Sequence, residues 1–191
     1  MDEVSFSVIG GGEAGFLRAF TIPLAEELER TPGLSRKPIP AIPLVAHDSR
    51  PKAIELPIAG IVGVLLFLPG WFALKVLNEV YDIKIKPVVR KVIEKADSIE
   101  VFASTKQFKV FTLEVFVEDR SVLIVLAAKE KALHALIGAV EHLPDLLPQA
   151  LRFVEGHESK NEVHVYVLSE GQVNVVPSIH DNVKSAYREF T

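Results

Sequence analysis

Residues 56–74 read LPIAGIVGVLLFLPGWFAL, 19 consecutive positions without an ionisable side chain. As a helix rising about 1.5 Å per residue, such a stretch is roughly 28 Å long, close to the roughly 30 Å hydrocarbon core of a bilayer. Eleven of its residues are Leu, Ile, Val or Phe. Each favours insertion at central depth by about 0.3–0.6 kcal/mol, and the glycines and Pro69 oppose it. The residues placed in the membrane on this reading are Leu56, Ile58, Ile61, Val62, Leu65, Leu66, Phe67, Leu68, Trp71 and Phe72. Trp71 stands at the interfacial end, and a basic flank of Lys75, Lys84, Lys86, Arg90 and Lys91 follows it. Upstream, Arg50 and Lys52 are offset by Asp48 and Glu55, so the charge asymmetry puts the C-terminal part on the cytoplasmic side of a cell membrane.

The competing reading starts from Pro69-Gly70, which divides the stretch and leaves residues 58–68, a normal length for a core helix or a buried strand. The protein is then a cytoplasmic α+β protein with this segment in its core. Favouring the membrane, a piece that is apolar all round needs neighbours all round, and the other elements are few.

Downstream, Leu74, Leu77, Tyr81, Ile85, Val88 and Val92 recur at helical spacing among basic positions, which predicts an amphipathic helix restarted near Pro87. Its basic face suits anionic headgroups or an oligomer interface, and equally a solvated surface. Upstream, residues 31–55 carry dense prolines and no periodicity, as expected of a connection.

The N-terminal stretch VSFSVIGGGEAGFLRAF spaces Gly10, Gly12 and Gly15 as G-x-G-x-x-G before a helix-like pattern with Phe16, Phe20, Leu24 and Leu28. That spacing is the fingerprint of a dinucleotide loop, in which the helix N-terminus receives a pyrophosphate. Two features disagree. Val4, Phe6 and Val8 alternate with Ser5 and Ser7, whereas the first strand of that fold is buried on both faces. Pro32, Pro38, Pro40 and Pro43 occupy the region where the second strand and its ribose-binding acid belong. The glycines therefore read as a strand-to-helix turn, and no cofactor is expected.

From residue 97 onward, SIEVFAS, FKVFTLEVFVE, SVLIVLAA, EVHVYVL and QVNVVPS read as strands, with hairpins near Asp119 and Gly171. Between them a helical stretch is expected to break near Pro144 or Pro148 and to end at Gly156. In EVHVYVL, alternation puts Val163, Val165 and Val167 inward and His164 and Tyr166 outward as a binding face. The expected class is α+β: an antiparallel or mixed sheet with helices on one face, preceded by a hydrophobic helical segment. The organisation divides as a strand-turn-helix (1–30), a Pro-rich connection (31–55), the apolar segment with its amphipathic helix (56–96) and an α+β domain (97–191).

Chemistry has few handles. With no cysteine, thiolate nucleophiles, disulfides and Cys-based metal sites are excluded. A net charge of −4 with dispersed Lys and Arg argues against a nucleic-acid partner. The acidic start has no basic region ahead of an apolar core, so no cleaved signal is expected. His47, His134, His142, His157, His164 and His180 form no metal-ligand spacing, and no nucleophile-elbow or phosphate-loop motif occurs. Glu114, Glu118 and Asp119 read as a surface cluster of acids, Glu118 and Asp119 in a hairpin turn, and Asp181 or Ser178 as the cap of a last helix. The expectation is a membrane-associated, non-catalytic module for partner binding or self-assembly. Its rivals are the cytoplasmic binding protein and, further off, a nucleotide-binding enzyme.

Overall fold

The computed structural model describes residues 4–12, 14–37, 58–68, 77, 79–98, 107–117, 121–157, 161–169, 171–174 and 176–190. Strand β1 is Val4–Gly12, and helix α1 joins Ala14–Phe16, a π turn Leu17–Thr21 and Ile22–Glu29. Strands β2 (Leu34–Arg36) and β3 (Ile58–Leu68) follow, then helix α2, made of a π turn Tyr81–Ile85 and Lys86–Asp97. Next come β4 (Phe108–Val117), β5 (Val122–Glu130), helix α3 (Leu133–Gly156) and β6 (Val163–Ser169). The chain closes with β7 (Gln172–Val173), β8 (Ser178–His180) and a short helix α4, Val183–Tyr187, extended by a 3-10 turn at Arg188–Phe190. One mixed sheet in the order β2-β1-β3-β4-β5-β6-β7 gathers the strands, with β8 also pairing to β6. The class is α+β, as expected.

The deciding stretch is a strand. β3 runs antiparallel to β1 from Ser5↔Phe67 to Gly12↔Gly60 and parallel to β4 from Gly60↔Lys109 to Leu68↔Val117. Hydrogen bonds on both edges satisfy its backbone, and both of its faces are covered. Val62, Val64 and Leu66 join the cluster beneath the helices, while Ile61 and Leu65 join a second cluster on the opposite face. A segment apolar on every side thus finds protein on every side, each fully buried Val or Leu contributing roughly 1.5–3 kcal/mol. This corrects the helical reading of Ile58, Ile61, Val62, Leu65, Leu66, Phe67 and Leu68. No helix among the described residues is long and apolar enough to cross a membrane. Leu56, Trp71, Phe72 and Lys75 lie outside the described residues.

All three longer helices pack on one face of the sheet. Phe16, Phe20, Leu24 and Leu28 of α1, Tyr81, Ile85, Val89 and Val92 of α2, and Leu136, Val140, Leu143 and Leu147 of α3 share a cluster with Phe6, Phe111, Leu113, Ile124 and Leu126. The Tyr81 hydroxyl donates to the Val140 carbonyl at 2.7 Å, joining α2 to α3 inside this layer. Alternation in β1 holds: Phe6 is buried under the helices while Ser5 and Ser7 face the other side.

Two prolines are accommodated by one device. Pro23 and Pro87 each follow a π turn, whose wider hydrogen bonds run from Ile22 N–H to the Leu17 carbonyl and from Lys86 N–H to the Tyr81 carbonyl. Each proline then sits in the first turn of the following α segment, where its missing N–H costs little. The π turn also shifts the buried stripe of α2, so that Val89, Ile93 and Ala96 are buried and Val88 is half-buried. In α3, by contrast, the expected break does not occur. The helix runs through Pro144 and Pro148, because Leu143, Leu146, Leu147 and Ala150 anchor it to the core on both sides of the lost hydrogen bonds.

Candidate functional site

The residues singled out by the sequence scatter. Gly10 and Gly12 lie within β1, paired with Val62 and Gly60 of β3, and Gly15 lies inside α1. A methyl group on Gly10 would overlap Thr21 and Leu17 of α1, and one on Gly60 would overlap the Phe16 ring. Gly10 and Gly60 thus let helix and sheet approach closely.

The basic flank is largely spent on ion pairs. Lys86 meets Asp82 at 3.1 Å, Arg90 meets Glu94 at 2.8 Å and Glu141 at 3.3 Å, and Lys91 meets Glu27 at 2.9 Å. The Glu27 carboxyl is held below its usual range by the hydrogen bond from Lys91. Lys84 lies against Gly33, beyond the end of α1. Arg90 and Lys91 thereby tie α2 to α3 and to α1, while the Lys86–Asp82 pair lies within α2.

His164 and Tyr166 are also displaced from the expected role. Both are fully buried, because α3 covers their side of β6. His164 meets Glu162 at 3.0 Å through Nε2 and stands edge-on to Phe153. Its Nδ1 and the Tyr166 hydroxyl have no hydrogen-bond partner among the described residues, and burial pushes the Tyr166 phenol up to about 12. The outward-facing expectation failed because it assumed one solvated sheet face.

The site with the most chemical character is on the other face. Alternation along β4 directs Phe111, Leu113 and Val115 to the helices and Val110, Thr112 and Glu114 away from them. Glu114 is 2 % exposed and lies in register with Leu65 of β3 and Val125 of β5. Thr112 Oγ1 donates to Glu114 Oε1 at 2.9 Å, and the Tyr187 hydroxyl of α4 donates to the same oxygen. Burial raises the carboxyl to about 7 against the pull of those two donors. The phenol of Tyr187 is itself pushed well up by burial and by the neighbouring carboxylate.

Helix α4 is positioned for this contact. Asn182 caps it, its side chain accepting from the Ser185 N–H at 2.9 Å, so the cap lies one residue beyond Asp181. Ala186 and Phe190 bury against Ile61, Leu65, Val110 and Val125, and His180 Nε2 meets Glu189 Oε1 at 2.7 Å. Glu114 was thus misassigned to the surface. Its alternating place beside Thr112 in an apolar strand was the available signal, while Tyr187, 73 residues away, was invisible to any local pattern.

Chemically, burial favours the protonated form of Glu114 beyond the ordinary carboxylate range. Among the described residues no three His, Asp or Glu side chains are grouped to hold a metal ion. A groove of about 660 Å³ beside α3 is lined by Glu130, Ala139, His142, Asp145, Gln149 and Gly171, away from Glu114. A scan against protein-family models, a search of curated proteins and a search of solved structures each find no match to this chain.

Proposed function

We propose that the chain is a non-catalytic α+β binding module that assembles with a second copy of itself through the β7–β8 end of its sheet. The observation that carries this reading is the exposure of Val176 at 66 % and Ile179 at 42 %. Ile179 lies on β8 and Val176 just before it, at a margin where β8 covers only Val163–Val165 of β6 and β7 covers Leu168 and Ser169. Short outer strands with unsatisfied backbone groups and apolar side chains are suited to antiparallel pairing with an identical edge.

Membrane anchoring through residues 58–68 is not part of the proposal, because Val62, Val64 and Leu66 are already used beneath the helices.

Analytical ultracentrifugation of the full chain in detergent-free buffer tests it. The expected result is a concentration-dependent dimer that Ile179→Lys converts to monomer without lowering the melting temperature. A monomer at every concentration, or an Ile179→Lys variant that dimerises as well as the unsubstituted protein, overturns it.

A further inference from the structure

The described part of the second sheet face is covered by an element of only eight residues, Val183–Tyr187 with its 3-10 extension Arg188–Phe190. Apolar contacts of Ala186 and Phe190 hold it, together with the Tyr187 hydroxyl on Glu114 and the contact of Glu189 with His180 of β8. So short an element has few contacts to lose and opens at lower free energy than the central strands. The only buried carboxylate among the described residues that is fully enclosed on this face lies beneath it.

We infer that the Glu114 carboxyl is a proton-operated catch for the C-terminal helix: protonated, it keeps α4 on the sheet, and ionised, it releases α4 and uncovers Ile61, Leu65 and Val125. The proton comes from solvent and returns to it, and no bond other than O–H changes. The physical cause is the competition between water and protein for the anion. When α4 lifts, water reaches Glu114 and solvates its charge; when α4 docks, two hydroxyls replace that water incompletely.

Among the described residues no cation contributes to the shift of Glu114. Leu65 on β3, Thr112 on β4 and Val125 on β5 are uncharged, and burial raises the Glu114 pKa although the Tyr187 and Thr112 hydroxyls pull it down. On α4 and its flank, Asp181, Lys184 and Arg188 are exposed. His180 with Glu189 is a second titratable contact on this element, and the test must separate it.

The sign follows from linkage. The docked carboxyl titrates at about 7 and the ordinary value is 4.5, so the docked state binds the proton more tightly. Docking is then strongest below 4.5, weakens by up to about tenfold per pH unit toward 7 and levels off above it. The inference is independent of the edge assembly and is read by a different measurement.

Amide hydrogen exchange of the full chain, corrected for the intrinsic pH dependence, provides that measurement. Protection of Val183–Tyr187 should fall about tenfold per pH unit between 4.5 and 7 while the amides of β4 and β5 stay protected. Glu114→Gln should flatten the profile, and Glu189→Gln should leave its slope. A flat profile in the unsubstituted protein, a slope that survives Glu114→Gln, or one that vanishes in Glu189→Gln overturns the inference. If Glu114→Gln does not fold, a carbon-13 titration of the Glu114 carboxyl decides: a midpoint near 7 supports the catch, and one in the ordinary carboxylate range overturns it.

Discussion

Gly63 of β3 stands in register with Thr112 of β4, and a methyl group on Gly63 would overlap the Thr112 hydroxyl. The missing side chain makes room for the hydroxyl that donates to Glu114. Gly63→Ala should therefore destabilise the protein by about 1–3 kcal/mol, the usual cost of overpacking a core. Gly11→Ala, where an added methyl meets nothing within 4 Å, is the control and should stay within about 0.5 kcal/mol. Urea unfolding of the two variants makes the comparison.

Tyr187→Phe removes one of the two donors to Glu114 without changing the ring. Loss of a hydrogen bond at a buried polar group costs about 1–3 kcal/mol. Because the Tyr187 hydrogen bond lowers the Glu114 pKa, its removal should also move the carboxyl's titration upward from about 7. A stability unchanged from the unsubstituted protein, or a downward shift of that titration, contradicts the assigned geometry.

Global stability should carry the same signature. With Glu114 raised from 4.5 to about 7 in the folded state, its contribution is intact below 4.5 and is lost as pH rises through 7. The slope is about 1.4 kcal/mol per pH unit within that window. Denaturation of the unsubstituted protein and of Glu114→Gln across this range isolates the contribution, because the other carboxylates are common to both. Parallel curves would refute it.

Proline within α3 offers a test of a different kind. Pro144 and Pro148 each remove a helix hydrogen bond from an element that nonetheless runs unbroken from Leu133 to Gly156. Pro148, which is exposed, can be replaced without disturbing the core. Pro148→Ala should raise stability by about 1–3 kcal/mol, since alanine is roughly 3 kcal/mol better than proline in a helix interior. A loss of stability would indicate that the helix is interrupted there.

The contrast between what the sequence disclosed and what it hid has physical causes. The strands at β4, β5 and β6 announce themselves by β-branched and aromatic content, and Gly171, with φ at 75°, marks the turn into β7. β3 did not, because a continuous apolar run shows no period and a buried strand resembles a buried helix. Its Ile61, Val62 and Val64, and the Pro69-Gly70 that follows, were the strand-like features within it. The expected strand at SIEVFAS lies mostly outside the described residues, and in QVNVVPS the described residues form the short β7 and the first residue of β8. The Glu114 site was hidden for another reason: its sequence neighbours Glu118 and Asp119 suggested a turn, whereas its spatial neighbours come from β3, β5 and α4.

The central claim is that residues 58–68 form an interior strand between β1 and β4. Backbone carbon chemical shifts and cross-strand proton contacts in the full chain measure this directly. The account predicts extended-chain shifts through this segment, with contacts from Val64 to Val8 on one side and to Leu113 on the other. Helical shifts across the same residues, without those contacts, would contradict it.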